Sequence, residues 1–214
     1  TGHGLLISDE LIYTWNYNSP DSIPNTIQIP VVPSNNGFPP LVILVLPSAG
    51  SKEPGVVSVN SHTGHIRFYE NVGEASSFGL LQHFKGIDHQ ISLYDRETIE
   101  IAENVEPAGV LLTTSTGRVI LLSLRNSAGK PFISSSQIVH RQTGFFSTTL
   151  SPSRHIVSVK AGAILGQGER IITTVTRGGD FQVWSCARDG QSRQVFQKEL
   201  LPTLVDHVGE LYPS

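Results

Sequence analysis

Three segments of the chain share one arrangement: two apolar, β-branched runs around a short polar turn that ends in glycine. Val56-Val57-Ser58-Val59 leads through Ser61-His62-Thr63-Gly64 to Ile66-Arg67-Phe68-Tyr69. Val110-Leu111-Leu112-Thr113 leads through Thr114-Ser115-Thr116-Gly117 to Val119-Ile120-Leu121-Leu122. Ile171-Ile172-Thr173-Thr174 leads through Thr176-Arg177-Gly178-Gly179 to Phe181-Gln182-Val183-Trp184. Each predicts a β-hairpin, because β-branched residues suit strands and glycine supplies the positive φ of a tight turn. A fourth copy lacks the glycine: Leu5-Leu6-Ile7, Ser8-Asp9, then Leu11-Ile12-Tyr13-Thr14-Trp15.

The bulky residue closing each second strand recurs at Trp15, Tyr69, Leu122 and Trp184, in steps of 54, 53 and 62 residues. Four-stranded propeller blades repeat every ~40–50 residues and lengthen with insertions, whereas a sandwich has closer turns and no long period. The pattern therefore predicts an all-β chain, about four blades of a β-propeller. Further strands are expected at 41–46, as a central strand, and at 99–104. Residues 132–140, 156–160 and 193–200 are expected to form outer or linking strands. Residues 19–40, rich in proline, read as a connector.

Composition agrees. Charged residues are only 15% of the chain, and 20 Gly and 13 Pro favour many short strands over long helices. A net charge of −3 leaves no basic field for nucleic acid, so none is expected as a partner. The single cysteine, Cys186, excludes an internal disulfide and a cysteine-based zinc site. The longest apolar run, 41–46, is too short to span a bilayer as a helix. The sequence starts Thr-Gly-His-Gly and holds no Met, which leads us to expect a piece of a longer chain.

No nucleophile elbow, P-loop or His-Glu-x-x-His motif occurs. Gly162-Ala163-Ile164-Leu165-Gly166-Gln167-Gly168 precedes a β-branched run, not a helix, and reads as a loop between strands and not a dinucleotide site. His62 and His65 flank a turn with no third ligand near, so no metal is expected. Asp95, Glu97, Glu100, Glu103 and Glu106 read as the solvated face of a strand. Cys186, placed just after the strand ending at Trp184, reads as a core or near-surface thiol. No cofactor, catalytic residue or small-molecule substrate is expected, and an enzyme is not.

One stretch invites a membrane reading. Phe145, Phe146 and Leu150 stand among Ser and Thr with little charge, a partial apolar face of the kind that enters packing defects of curved membrane. Pro152 limits any helix there to about two turns. On composition alone 141–154 reads as a loop between blades.

The order of motifs carries a family resemblance. Glu106-Pro107-Ala108-Gly109, Thr114 to Val119 and Leu124-Arg125-Asn126-Ser127-Ala128-Gly129-Lys130-Pro131-Phe132-Ile133 resemble the N-terminal propeller of fungal nucleoporin 133. So do Arg154-His155-Ile156-Val157-Ser158-Val159-Lys160-Ala161-Gly162 and Gly166 to Gly179, closing on Trp184. The resemblance is strongest over 86–184 and looser over 5–69. It implies a seven-bladed N-terminal propeller, of which 1–214 form part, followed in the full protein by a helical stack. It implies a scaffold of the Y-shaped outer-ring complex of the nuclear pore, at the nuclear envelope, supporting pore assembly and transport of mRNA and protein. Other Y-complex nucleoporins and neighbouring pore components are its implied partners. Family members can carry a lipid-packing sensor in a propeller loop, whose place here is the 141–154 stretch. Phe145, Phe146 and Leu150 are thus the candidate membrane-contact residues. The loop is shorter than the family's, and Pro152 interrupts it.

Two alternatives stay beside this reading. One is an inner-ring nucleoporin propeller of the 155/170 type. The other is a propeller adaptor that grips a peptide, which would bring an aromatic or basic patch to one propeller face.

Overall fold

The glycine turns close hairpins where the repeat places them. In the computed structural model, Gly64, Gly117 and Gly179 all have positive φ, at 71°, 85° and 85°. The Gly117 and Gly179 amides donate to Thr114 O and Thr176 O, at 2.8 and 3.0 Å. In the copy without glycine, Ser8 replaces it with its side chain: Leu11 N donates to Ser8 Oγ at 3.1 Å and Ser8 N to Leu11 O at 2.9 Å. The structure describes residues 2–8, 11–18, 27–30, 39–48, 50–73, 86–138, 155–189 and 191–200.

Among these residues four antiparallel sheets follow one another along the chain. The first holds β1 (His3–Ile7), β2 (Leu11–Asn16) and β3 (Ile27–Pro30), and the second β4 (Leu41–Val45), β5 (Gly55–Val59), β6 (His65–Tyr69) and β7 (Ile87–Gln90). The third holds β8 (Ile99–Asn104), β9 (Val110–Thr114), β10 (Val119–Arg125) and β11 (Pro131–Ile138). The fourth holds β12 (Ile156–Ile164), β13 (Arg170–Thr176), β14 (Asp180–Cys186) and β15 (Ser192–Glu199). Each sheet pairs only sequence neighbours, up and down, as a propeller blade does. The first strands β4, β8 and β12 lie against one another across sheets, as do the last strands β7 and β11. The last strands β11 and β15 are mostly exposed and lie at the rim, so the first strands are the inner ones.

That order corrects one expectation. The 156–160 segment, expected as an outer or linking strand, is innermost, and it runs on to Ile164. Gly162, Ala163 and Ile164 thus belong to β12 and not to a loop. Ile27–Pro30, within the proline-rich stretch, forms the outer strand β3. By register β1 and β2 correspond to β5 and β6, so the first sheet has no innermost strand among the described residues.

Packing explains why the middle strands read as continuous apolar runs. Every residue of β5 and β9 is buried, because both faces of those blades are covered. Alternate residues serve different neighbours. In β10, Ile120 and Leu122 join Val57, Val59, Ile66 and Phe68 in the core between the second and third blades. Val119 and Leu121 join Ile156, Val159, Ile172 and Trp184 between the third and fourth. On the other side of the second blade, Tyr69, Val56 and Val72 pack with Ile12 and Leu5 of the first.

Candidate interaction face

The acidic cluster holds the propeller together. Four of its five carboxylates, read from sequence as solvated, are fixed on partners. The Glu106 residue is 3% exposed, and its Oε1 accepts from Arg125 Nη1 at 2.6 Å. Its Oε2 accepts from Leu46 N, just beyond the inner strand of the second blade. Arg125 Nη2 also donates to Leu46 O at 2.8 Å, and Asn104 Nδ2 to Leu44 O at 2.8 Å. Turned the other way, Glu103 Oε1 accepts from Ala161 N at 3.1 Å, and Glu100 Oε2 lies 2.9 Å from His155 Nε2, both in the fourth blade. A register shift between Ile99 and Ile101 interrupts the alternation of β8, so that Glu100 and Glu103, three residues apart, both meet the fourth blade.

Glu97 makes the tightest cluster. Its side chain is fully buried, and it accepts from Arg118 Nε at 2.9 Å, from Arg118 Nη2, from Thr116 Oγ1 and from Tyr94 N at 2.9 Å. Burial pushes the Glu97 carboxyl up, but the Arg118 guanidinium and the hydroxyls of Thr114 and Thr116 outweigh it and hold the group at about 2. Arg118 is raised in turn by Glu97. Arg118 also donates to Ser92 O at 3.0 Å and lies over the Tyr94 ring, 4.3 Å from its centroid. Asp95 stands fully in solvent, with its side chain 97% exposed, and Glu100, though paired with His155, keeps 42% of its side chain exposed.

These groups locate one end of the propeller. Ser115 N donates to Thr98 O at 2.8 Å and Arg177 N to His155 O at 2.7 Å, so the β9–β10 and β13–β14 turns meet the segments leading into β8 and β12. Ile138 pairs with Val119 at this same end. The chain thus leaves the third blade at Ile138 and returns at His155, both at the end that carries the Arg118–Glu97 cluster. Phe145, Phe146 and Leu150 lie between those points, outside the described residues.

The remaining candidates are structural. His65 Nε2 sits 3.4 Å from Asp88, which Arg67 also binds at 2.7 Å, and His62 N donates to Asn60 Oδ1 at 3.1 Å. Among the described residues no three His, Cys, Asp or Glu side chains group as metal ligands would. Cys186 ends β14 and is fully buried, with its thiol pushed up to about 11 by burial. It lines an apolar gap of about 20 Å³ between the third and fourth blades, room for a water-sized group.

Successive antiparallel blades, joined through their innermost strands and locked by buried charge, define a β-propeller built as a scaffold. The chain belongs to the nucleoporin N-terminal family described as Nup133 N terminal like, which matches residues 1–214. Nucleoporin NUP133 of Saccharomyces cerevisiae is 26% identical over 99% of this chain, and that of Chaetomium thermophilum 28% over 98%. The chain spans 20% and 16% of those two proteins. The crystal structure of the Vanderwaltozyma polyspora Nup133 β-propeller domain superposes with a TM-score of 0.76 at 27% identity, covering 99% of this chain and 51% of that domain. The family is structural and not enzymatic, and its members are components of the nuclear pore complex at the nuclear envelope. The inner-ring alternative is not favoured, since these relatives are of the Nup133 kind.

Proposed function

We propose that residues 1–214 form about four blades of a single seven-bladed N-terminal propeller, with the proline-rich 19–40 stretch inside it acting as a connector around the strand β3 and 141–154 as a loop between blades. The propeller acts as a scaffold of the Y-shaped outer-ring complex, supports pore assembly and nucleocytoplasmic transport, and binds other nucleoporins of that complex. The observation carrying this reading is the family match along the whole of 1–214. The buried clamps between blades support it, because a scaffold needs blades that keep their places under load.

A contact with curved membrane belongs to the same proposal, through Phe145, Phe146 and Leu150. It is supported by the weakly charged, aromatic composition of that stretch and by its origin at the end that carries the Arg118 cluster. Flotation of the full-length protein with small and large liposomes tests it. The Phe145→Asp/Phe146→Asp variant should lose binding to small vesicles, and equal flotation of both proteins would remove the stretch as a membrane sensor. Co-purification of Y-complex nucleoporins with the full-length protein tests the scaffold assignment. Their absence would sink it.

A further inference from the structure

Among the described residues nine have positive φ, and eight of them are glycine; the exception is Arg96, at 57°. It occupies the third position of the turn from Tyr94 to Glu97, closed by Glu97 N donating to Tyr94 O at 3.1 Å. Gly or Asn suits that position, and a long side chain there is strained. The core does not use the side chain, which is 92% exposed and whose Nε lies 3.9 Å from Asp95 Oδ2, an equally exposed carboxylate of the same turn. The base of the turn, by contrast, is rigid. Glu97 is buried beneath it, and Arg118 ties Ser92 O, Glu97 and the Tyr94 ring together. Tyr94 is 62% exposed, with one ring face on Arg118. The molecule therefore holds Tyr94, Asp95 and Arg96 outward on a fixed support, in a backbone conformation that glycine would adopt with less strain.

We propose that this turn is a docking element for a folded protein that presents a carboxylate to Arg96 and an apolar surface to the open face of Tyr94. Tyr and Arg are the side chains that most often dominate binding energy at interfaces, and a turn already ordered loses little entropy on binding. The guanidinium fork matches a carboxylate in two parallel bonds. A membrane fits less well: Asp95, one residue away and fully in solvent, repels headgroup phosphates, and insertion into lipid needs no fixed backbone. The proposal is independent of the 141–154 stretch.

The test uses the full-length protein in its own cells, replaced by Arg96→Gly or Arg96→Glu, with co-purifying proteins quantified by mass spectrometry. Arg96→Gly relieves the strained φ, so the variant should melt at or slightly above the wild-type temperature. Both variants should nonetheless lose one and the same co-purifying protein at least tenfold. A photo-crosslinking phenylalanine in place of Tyr94 should attach to that protein. Three results overturn the proposal. One is retention of every co-purifying protein by either variant. Another is a lower melting temperature for Arg96→Gly, which would make Arg96 a structural residue. The third is crosslinking from position 94 to lipid, or to no protein.

Discussion

The chemistry of single residues here is mostly that of buried charge. Glu97 has its pKa lowered from 4.5 to about 2, so its contribution to stability is complete above about pH 5 and is lost as pH falls through 4.5 toward 2. Urea unfolding of the wild type should therefore show a midpoint that drops over that interval. Glu97→Gln should cost about 3 kcal/mol at neutral pH, because it leaves Arg118 charged and buried without its counter-ion, and should flatten the acid limb. Cys186 gives a second check. Fully buried and raised to about 11, it should not react with a disulfide reagent at pH 8 until the protein is unfolded. Prompt labelling of the native protein would contradict its placement. Cys186 is legible in the sequence as a core or near-surface thiol, but Glu97 is not legible as a buried charge. Glu97 reads as one of several carboxylates on a strand, and what buries it is Arg118, 21 residues further on.

At the scale of elements, turns set the tolerance of the fold. Gly109, at φ 134°, has the Leu122 carbonyl oxygen only 1.8 Å from where a Cβ would stand. Gly109→Ala should destabilise by at least about 3 kcal/mol, since the obstacle is backbone of the adjacent strand. Gly166, in the equivalent turn of the next blade, faces open space, and Gly166→Ala should lie within about 0.5 kcal/mol of wild type by chemical denaturation. The hairpins themselves were readable, because runs, turn and pairing all lie within about 15 residues and hydrophobic period and turn chemistry agree. β7 leaves no local signal because Ile87-Asp88-His89-Gln90 has one apolar residue, and its pairing with β6 crosses a long connection. The inner position of β12 is hidden in the sequence for a different reason. Nothing local distinguishes an innermost strand from an outer one, since that is set by which strands of other sheets it meets.

For the whole molecule, the described arc has an uncovered side. Ile171, Val175, Phe181 and Val183 alternate with the residues that pack on the third blade, and Phe196, 49% exposed, lies edge-on to Phe181. Residues 1–214 purified alone should therefore bind a hydrophobic dye and associate with increasing concentration, whereas the seven-bladed propeller proposed above should not. Light scattering across a concentration series decides this, and a monomeric, dye-silent fragment would contradict it.

The division of labour in β10 has a consequence for sequence change in this chain. Ile120 and Leu122 belong to one neighbouring blade and Val119 and Leu121 to the other. Each central strand thus carries two interleaved messages addressed to different recipients, sorted by odd and even position. A one-residue insertion inside such a strand would deliver every message after it to the wrong blade, with composition almost unchanged. Length variation should then concentrate in the turns and at bulges, such as the register shift between Ser123 and Arg125 near the end of β10. Substitutions at odd and at even positions of one strand should fall into two separate groups, each compensated only from its own side.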